Sequence, residues 1–384
     1  MPNPQNLRKT TDEQSKHVHR EIVQLVVLIA VATAAFVVTR AIAGNNRETN
    51  LRDAAEWYQR GERQLDAGDA GRAIDSFRRA AVKNRNEKRY VLALARALAS
   101  TRQEEAARSA LLALRESAPE DPDLNLQLAR LAARRQDVTE AIRYYHNTLY
   151  APWPIDQASM RRRVRLELIR FLLSHNQVNR AESELMALST DLPNEAATHM
   201  EVGQLFALAG DHDRGLDQFQ RALRLAPDDG AALAGAGQAA FHVGDYELAR
   251  KYLRAAPDNV AGVKETRNVV ELLLANDPLA MRIGAVVRRR RLADDFAYAT
   301  ERLTACLAQR RGGQPSDDEL ALRDEAEAFD GQLASSRIVE EDVIESGVDL
   351  ISRIERAVAQ GCAPSTLLDR ALILIGQRHG ASRR

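Results

Sequence analysis

An all-α solenoid of antiparallel helix pairs is what this sequence predicts, with one membrane-crossing helix before it and a small helical region after it. Three observations carry that reading. Ala, Leu, Arg and Glu dominate the composition, and all four are good helix formers. Small and apolar residues return in a fixed 34-residue phase from Trp57 to Pro257. A stretch without charge, Ile22 to Thr39, stands near the N-terminus of an otherwise polar chain.

The apolar stretch comes first in the chain. Its 18 residues make roughly 27 Å of helix, close to the roughly 30 Å of a bilayer core. Ala41, Ile42 and Ala43 extend it, because Arg40 can snorkel to the headgroups. Residues 1–21 then form an N-terminal tail, 22–43 a transmembrane helix inserted in the lipid bilayer, and 44–53 a linker. A cleaved signal peptide competes with this reading, since Ala41-Ile42-Ala43 has the small-x-small pattern. Against it, Asp12, Glu13 and Glu21 are mixed with Arg8, Lys9, Lys16 and Arg20 before the stretch, and Arg40 sits in the cleavage region. Four Lys or Arg precede the span, against Arg40, Arg47 and Arg52 after it. That small excess points to a cytoplasmic N-terminus and a periplasmic or extracytoplasmic body. Arg greatly outnumbers Lys and Ala is abundant, the composition of a GC-rich bacterial genome. The expected location is the bacterial inner membrane, single-pass.

The repeat occupies the next two hundred or so residues. Trp57, Gly61, Gly68, Asp69, Ala73, Ile74, Phe77 and Ala80 set a pattern. It returns at Gly203, Gly210, Asp211, Gly215, Phe219 and Ala222, and again at Gly237, Gly244, Asp245, Ala249 and Leu253. Gly203 to Gly237 and Gly210 to Gly244 are both separations of 34 residues. Each unit reads as two helices, A and B, joined by a short turn. Gly61, Gly203 and Gly237 lie where A meets B, with Ala73, Gly215 and Ala249 as the small residues facing them. Phe77 and Phe219 fill the groove toward the next unit. The Gly-Asp pairs end helix A, glycine taking the left-handed turn and aspartate capping helix B. Residues 88–121, 122–155 and 162–195 carry weaker copies, and the period stretches to 40 around Ala151-Pro152-Trp153-Pro154. That insertion is either a contact point or a spacer. Six units result, 54–87, 88–121, 122–155, 162–195, 196–229 and 230–260, the last shortened by Pro257. The pattern resembles the tetratricopeptide repeat family, of which a 34-residue period is the signature.

Residues 261–311 read as a worn repeat or as capping helices, which a solenoid needs to cover its terminal apolar face. Gly312-Gly313 marks a turn. Residues 316–384 form a C-terminal helical region, with Ser316 and Glu319 as a capping box. Leu350, Ile351, Ile354 and Val358 make one apolar stripe, and Ser365 caps a last helix. This region either docks on the solenoid end or forms its own bundle.

Little chemistry is written in the chain. It lacks GxSxG, HExxH, GxGxxG and Walker motifs, and its histidines do not cluster. Neither enzyme activity nor a metal or other cofactor is expected. Cys306 and Cys362 have no ligand spacing, and a single bond between them needs an extracytoplasmic body. Formal net charge is zero, so nothing draws the chain toward nucleic acid. Arg288 to Arg291 spread around a helix and read as a solvated surface paired with Asp294, Asp295 and Glu301.

The family resemblance implies a ligand groove lined by helix A. On this chain its positions are Tyr58, Glu62, Arg96, Arg130, Arg134, Arg170, Gln204, Gln238, Phe241 and His242. Arg pairs bidentately with carboxylates, so an acidic or C-terminal peptide segment suits the basic middle. The expected role is a membrane-anchored scaffold for proteins or peptide segments, in envelope assembly, secretion or polysaccharide machinery. Two alternatives stand beside it: a cytoplasm-facing adaptor for a membrane protease or enzyme, and an enzyme with a cryptic C-terminal domain.

Overall fold

A computed structural model of the chain describes residues 4–153, 157–309, 316–335, 339–362 and 366–381. Seventeen helices and no strand occur among the described residues. The fold is an all-α solenoid of paired antiparallel helices with a small C-terminal helical region, and it divides into unit 1, Met1–Leu168, and unit 2, Ile169–Arg384.

Unit 1 opens with α1 (Pro4–Asp66), which carries both the apolar stretch and the first A helix. Residues 44–53, expected as a linker, continue this helix without a break. The reason is local: Gly44 is the only glycine there, and proline is absent. Thr49 bonds back to the Asn45 carbonyl at 2.9 Å, and Arg52 pairs with Glu48 one turn earlier. The apolar stretch is long and apolar enough to cross a membrane. Its described side chains are exposed, Leu28 at 66% and Phe36 at 64%. The Thr33 and Thr39 hydroxyls donate to the Ile29 and Ala35 carbonyls, so neither needs water.

The last turns of α1 pack on α2 (Ala70–Lys83), α3 (Lys88–Ser100) packs on α4 (Glu104–Arg115), and α5 (Pro122–Arg134) on α6 (Val138–Tyr150). The seventh helix, α7 (Ala158–Ser174), begins in unit 1 and ends in unit 2. Phe77, Leu111, Leu124, Leu128, Tyr145 and Leu149 are at most 2% exposed and form the unit 1 interior. In the inserted segment Trp153 donates its indole N–H to the Thr148 carbonyl at 2.7 Å. Pro154 lies outside the described residues.

Unit 2 continues with α8 (Val178–Ser189), α9 (Ala196–Ala209), α10 (His212–Leu225), α11 (Gly230–Val243), α12 (Tyr246–Ala255) and α13 (Val263–Asn276). After them come α14 (Ala285–Gln309), α15 (Asp317–Ser335), α16 (Glu341–Gly361) and α17 (Leu367–Ala381). The pairs α9/α10 and α11/α12 follow the same rule as unit 1. Pro257 closes the last pair early, since its ring admits no further helix.

Every A-to-B turn holds one residue in the left-handed region. These are Gly68, Arg102 and Gln136 in unit 1, and Asn176, Gly210 and Gly244 in unit 2, with φ between 56° and 87°. Asp69, Asp137, Asp211 and Asp245 then cap the B helices through main-chain N–H groups at 3.0–3.1 Å. Gln103 and Gln177 stand in the same place without a capping bond.

The C-terminal helices share the interior of the repeat before them. One cluster of buried residues runs from Ala234 through Leu273 and Ile354 to Ile375. The seventh A-type helix, α13, takes as its neighbour not the next helix but α17, while α14 packs on α16. Buried ions join these elements. Asp277, after α13, receives Arg378 at 3.3 Å and His379 at 3.1 Å from α17. Arg302 of α14 lies between Glu355 at 3.1 Å and Asp369 at 2.7 Å, both carboxylates fully buried. Cys306 and Cys362 form a disulfide between the ends of α14 and α16, with Cα atoms 5.5 Å apart.

Ser316 and Glu319 form a reciprocal capping box. The last helix is capped the same way by Thr366 with Asp369, while Gly312-Gly313 and Ser365 lie outside the described residues. The arginine run departs from the expected surface pairing. Arg289 donates to the Leu333 carbonyl and Arg291 to those of Leu274 and Asp277. Both can do so because the C-terminal ends of α13 and α15, whose last carbonyls have no partner within their own helix, lie against α14.

Candidate partner-binding grooves

The close approach of helices A and B rests on bare α-carbons. At Gly61 an added Cβ would stand 2.5 Å from the Phe77 ring. At Gly237 it would stand 2.6 Å from Leu253, and at Gly215 3.2 Å from the Gly203 carbonyl. Ala73 and Ala249 are fully buried. Phe219 is held between two glycines of successive A helices, Gly203 at 3.0 Å and Gly235 at 2.6 Å. Gly235 was not among the residues singled out from the pattern, because its place in the other units holds Gln59, Ala93, Gln127, Glu167 and Glu201, of which Ala93 alone is small. Trp57 is half-buried, with the Arg60 and Arg79 guanidiniums 4.4 and 4.5 Å from its ring centroid.

In unit 1 the Tyr58 ring packs at a tilt between Phe77 and Tyr90, with centroids 5.7 and 5.1 Å apart. Burial, then the Glu62 carboxylate, raises the pKa of its phenol, so it stays neutral. Arg130 makes a two-pronged contact with Glu167 at 2.8–3.2 Å, and the Tyr145 hydroxyl donates to the same carboxylate at 2.8 Å. The hydrogen bond to Glu167 raises the Arg130 pKa further, and burial, then Glu167, raises that of Tyr145. In unit 2 Arg170 pairs with Glu201. Two of the four arginines therefore have their charge answered within the chain. Arg96 and Arg134 are exposed and have no ion pair among the described residues.

Unit 2 contains a recess of about 500 Å³ lined by Gln204, Leu208, His212, Gly235, Gln238 and His242, among others. Leu208 is 73% exposed at its rim. Gln204 has no hydrogen-bond partner among the described residues, whereas Gln238 donates to the Ala261 carbonyl at 2.9 Å. The His212 and His242 rings stack at 4.2 Å and 13°. His212 Nδ1 is buried and unpartnered. Burial, then the neighbouring His212, lowers the His242 pKa, which keeps it neutral. Phe241 packs edge-on against Tyr246 at 5.8 Å. This recess can take hydrogen-bonding, uncharged groups and cover apolar ones. Among the described residues no group of three or more His, Cys, Asp or Glu is placed to hold a metal ion.

His212, Glu167 and Glu201 were not singled out from the sequence. The acids carried a readable signal. Arg96, Arg130 and Arg170 hold equivalent places in successive units, and Glu167 and Glu201 are 34 residues apart. The place that would answer Arg96 holds Gln127. His212 had no such signal, since its neighbour His242 comes from another helix pair.

A family profile described as tetratricopeptide repeat matches residues 58–122, 92–156, 166–229 and 203–263, together just over half of the chain. No curated protein matches the chain individually. Among solved structures it is similar to YrrB, described as having an unusual peptide-binding site, at 19% identity and a TM-score of 0.39. That alignment covers 48% of this chain and 95% of that one. PilW, a type IV pilus biogenesis factor, aligns at 15% identity and a TM-score of 0.40, covering 56% and 97%. The C-terminal part of a repeat protein from Cytophaga hutchinsonii aligns at 12% identity and 0.42, covering 76% and 98%.

Proposed function

Because the chain belongs to the tetratricopeptide repeat family, a non-catalytic protein-interaction fold, we propose that it is a membrane-anchored scaffold holding extended partner segments in its A-helix grooves. The observation that carries this is the unit 2 recess. It is preformed between α9 and α11, so a segment entering it loses its own freedom without ordering the site. Its lining holds no carboxylate, lysine or arginine, and Gln204, Gln238 and the imidazole pair can bond main-chain groups of a segment whose apolar side chains cover Leu208. An acidic segment is served instead by unit 1, through Arg96 and Arg134. The apolar stretch of α1 anchors the body in the bilayer. The disulfide supports an oxidising compartment for the body, in agreement with the charge excess before the span. Envelope assembly, secretion or polysaccharide machinery would each use such a part.

A photoreactive residue at Leu208 in cells tests the proposal, with Arg221 on α10 as the comparison site. The expected result is a discrete partner captured from position 208, weakened by Gln204→Ala with His242→Ala, and not captured from 221. Equal capture from both positions, or capture indifferent to the two substitutions, rules out the groove. Arg134→Glu tests the acidic segment separately: a partner held by unit 1 through charge should be lost.

A further inference from the structure

We propose that a recess beside the base of α1 in unit 1 seats the phosphate of anionic phospholipid headgroups, so that the α2–α3 turn rests on the bilayer. The inference relies on α1 being the anchor. The recess measures about 760 Å³ and is lined by Asn46, Arg47, Asn50, Leu51, Val82 and residues 83–87. Its position comes from the pairing of α1 and α2. They run antiparallel, and Lys83, at the end of α2, donates to Asn50 at 3.1 Å and Asp53 at 2.9 Å. The turn after α2 therefore faces the apolar stretch. Asn46 to Leu51 lie three to eight residues beyond Ala43, or about 5–12 Å along a helix. The headgroup layer extends about 5–8 Å beyond the hydrocarbon core.

The chemistry fits that depth. Arg47 and Arg85 are exposed and have no ion pair among the described residues, while Lys83 is answered by Asp53 and Arg89 lies 3.5 Å from Glu87. Asn46, Asn50, Asn84 and Asn86 add four amides, which donate to phosphate oxygens without adding charge. Leu51 and Val82 are 42% and 63% exposed on the same lip. A free phosphate has no use for them, whereas the glycerol and upper acyl region of a bilayer covers them. Basic and apolar side chains on one lip, next to a span, fit a membrane interface better than any soluble anion.

The test uses the full chain in vesicles. A fluorophore at Val82→Cys is read against a quencher carried on lipid headgroups, in neutral vesicles and in vesicles containing phosphatidylglycerol. A label at Ala67→Cys, about 36 Å along α1 from Ala43, is the control. Quenching at 82 and not at 67, stronger with the anionic lipid, is expected. Arg47→Gln with Arg85→Gln should lower the docked-to-undocked ratio about 30-fold, with retention on the vesicles unchanged. Equal quenching at both positions, none at 82, or release of the lip by inorganic phosphate overturns the proposal. Loss of the protein from vesicles at alkaline pH marks failure of the anchor instead, because the lip contributes nothing to retention.

Discussion

At the residue scale, small differences in volume decide large differences in packing. In an open helix interior alanine exceeds glycine by about 1 kcal/mol. At Gly331 nothing lies within 4 Å of an added Cβ, so Gly331→Ala should stabilise the protein by up to about 1 kcal/mol. At Gly235 the same methyl meets Phe219 at 2.6 Å, and Gly203 closes the other side of that ring. Overpacking costs about 1–3 kcal/mol, so Gly235→Ala should destabilise by about 1–2 kcal/mol despite its helix propensity; urea midpoints compare the two variants. Charge is decided by burial in the same way. Burial, then repulsion from Asp294 and Asp277 against the pull of Arg291, raises the Asp295 pKa to about 8. The folded chain then keeps a proton that the unfolded chain releases near 3.8. This contribution is full below that lower value and is lost as pH rises toward 8. Asp295→Asn should flatten the fall of melting temperature between pH 5 and pH 8.5 and stabilise most at the alkaline end. An unchanged slope would show that Asp295 is not the group responsible.

At the scale of elements, backbone conformation is more regular than the residues that adopt it. Glycine and aspartate make the turn in units one, five and six, and the sequence showed those three turns plainly. In unit two the left-handed place is held by Arg102, at φ 62°, and the capping place by Gln103, which makes no capping bond. Neighbouring helices impose the turn there against local preference, which no single-residue signal reveals. Replacing the pair with Arg102→Gly and Gln103→Asp should therefore add about 1–2 kcal/mol, from relief of the left-handed conformation and from a new cap. A denaturation midpoint that falls would mean that the present side chains make contacts worth more than the strain. The linker expected at 44–53 illustrates the converse. The segment was set apart only as what joins the span to the first repeat, and without proline or a second glycine the helix simply continues through it.

For the whole molecule, the disulfide links the compartment to the stability of the C-terminal helices. Cys306 and Cys362 are 56 residues apart, and closing such a loop is worth about 2–4 kcal/mol. Cys306→Ser should lower stability by that amount. In intact cells neither thiol should react with maleimide until a reductant is added. Immediate labelling would place the body in a reducing compartment and remove the main support for an extracytoplasmic body. The helix pairs, the three Gly-Asp turns and the capping box at Ser316 were legible along the chain, because short-range periodicity is written in consecutive residues, whereas the last helix is capped by Thr366, one residue past the Ser365 the sequence suggested. Which helix becomes the neighbour of α13, which arginines find an ion pair within the chain, and that His212 meets His242 were not legible. These depend on side chains brought together from separate helices, and burial and ion pairing act only once the helices have met.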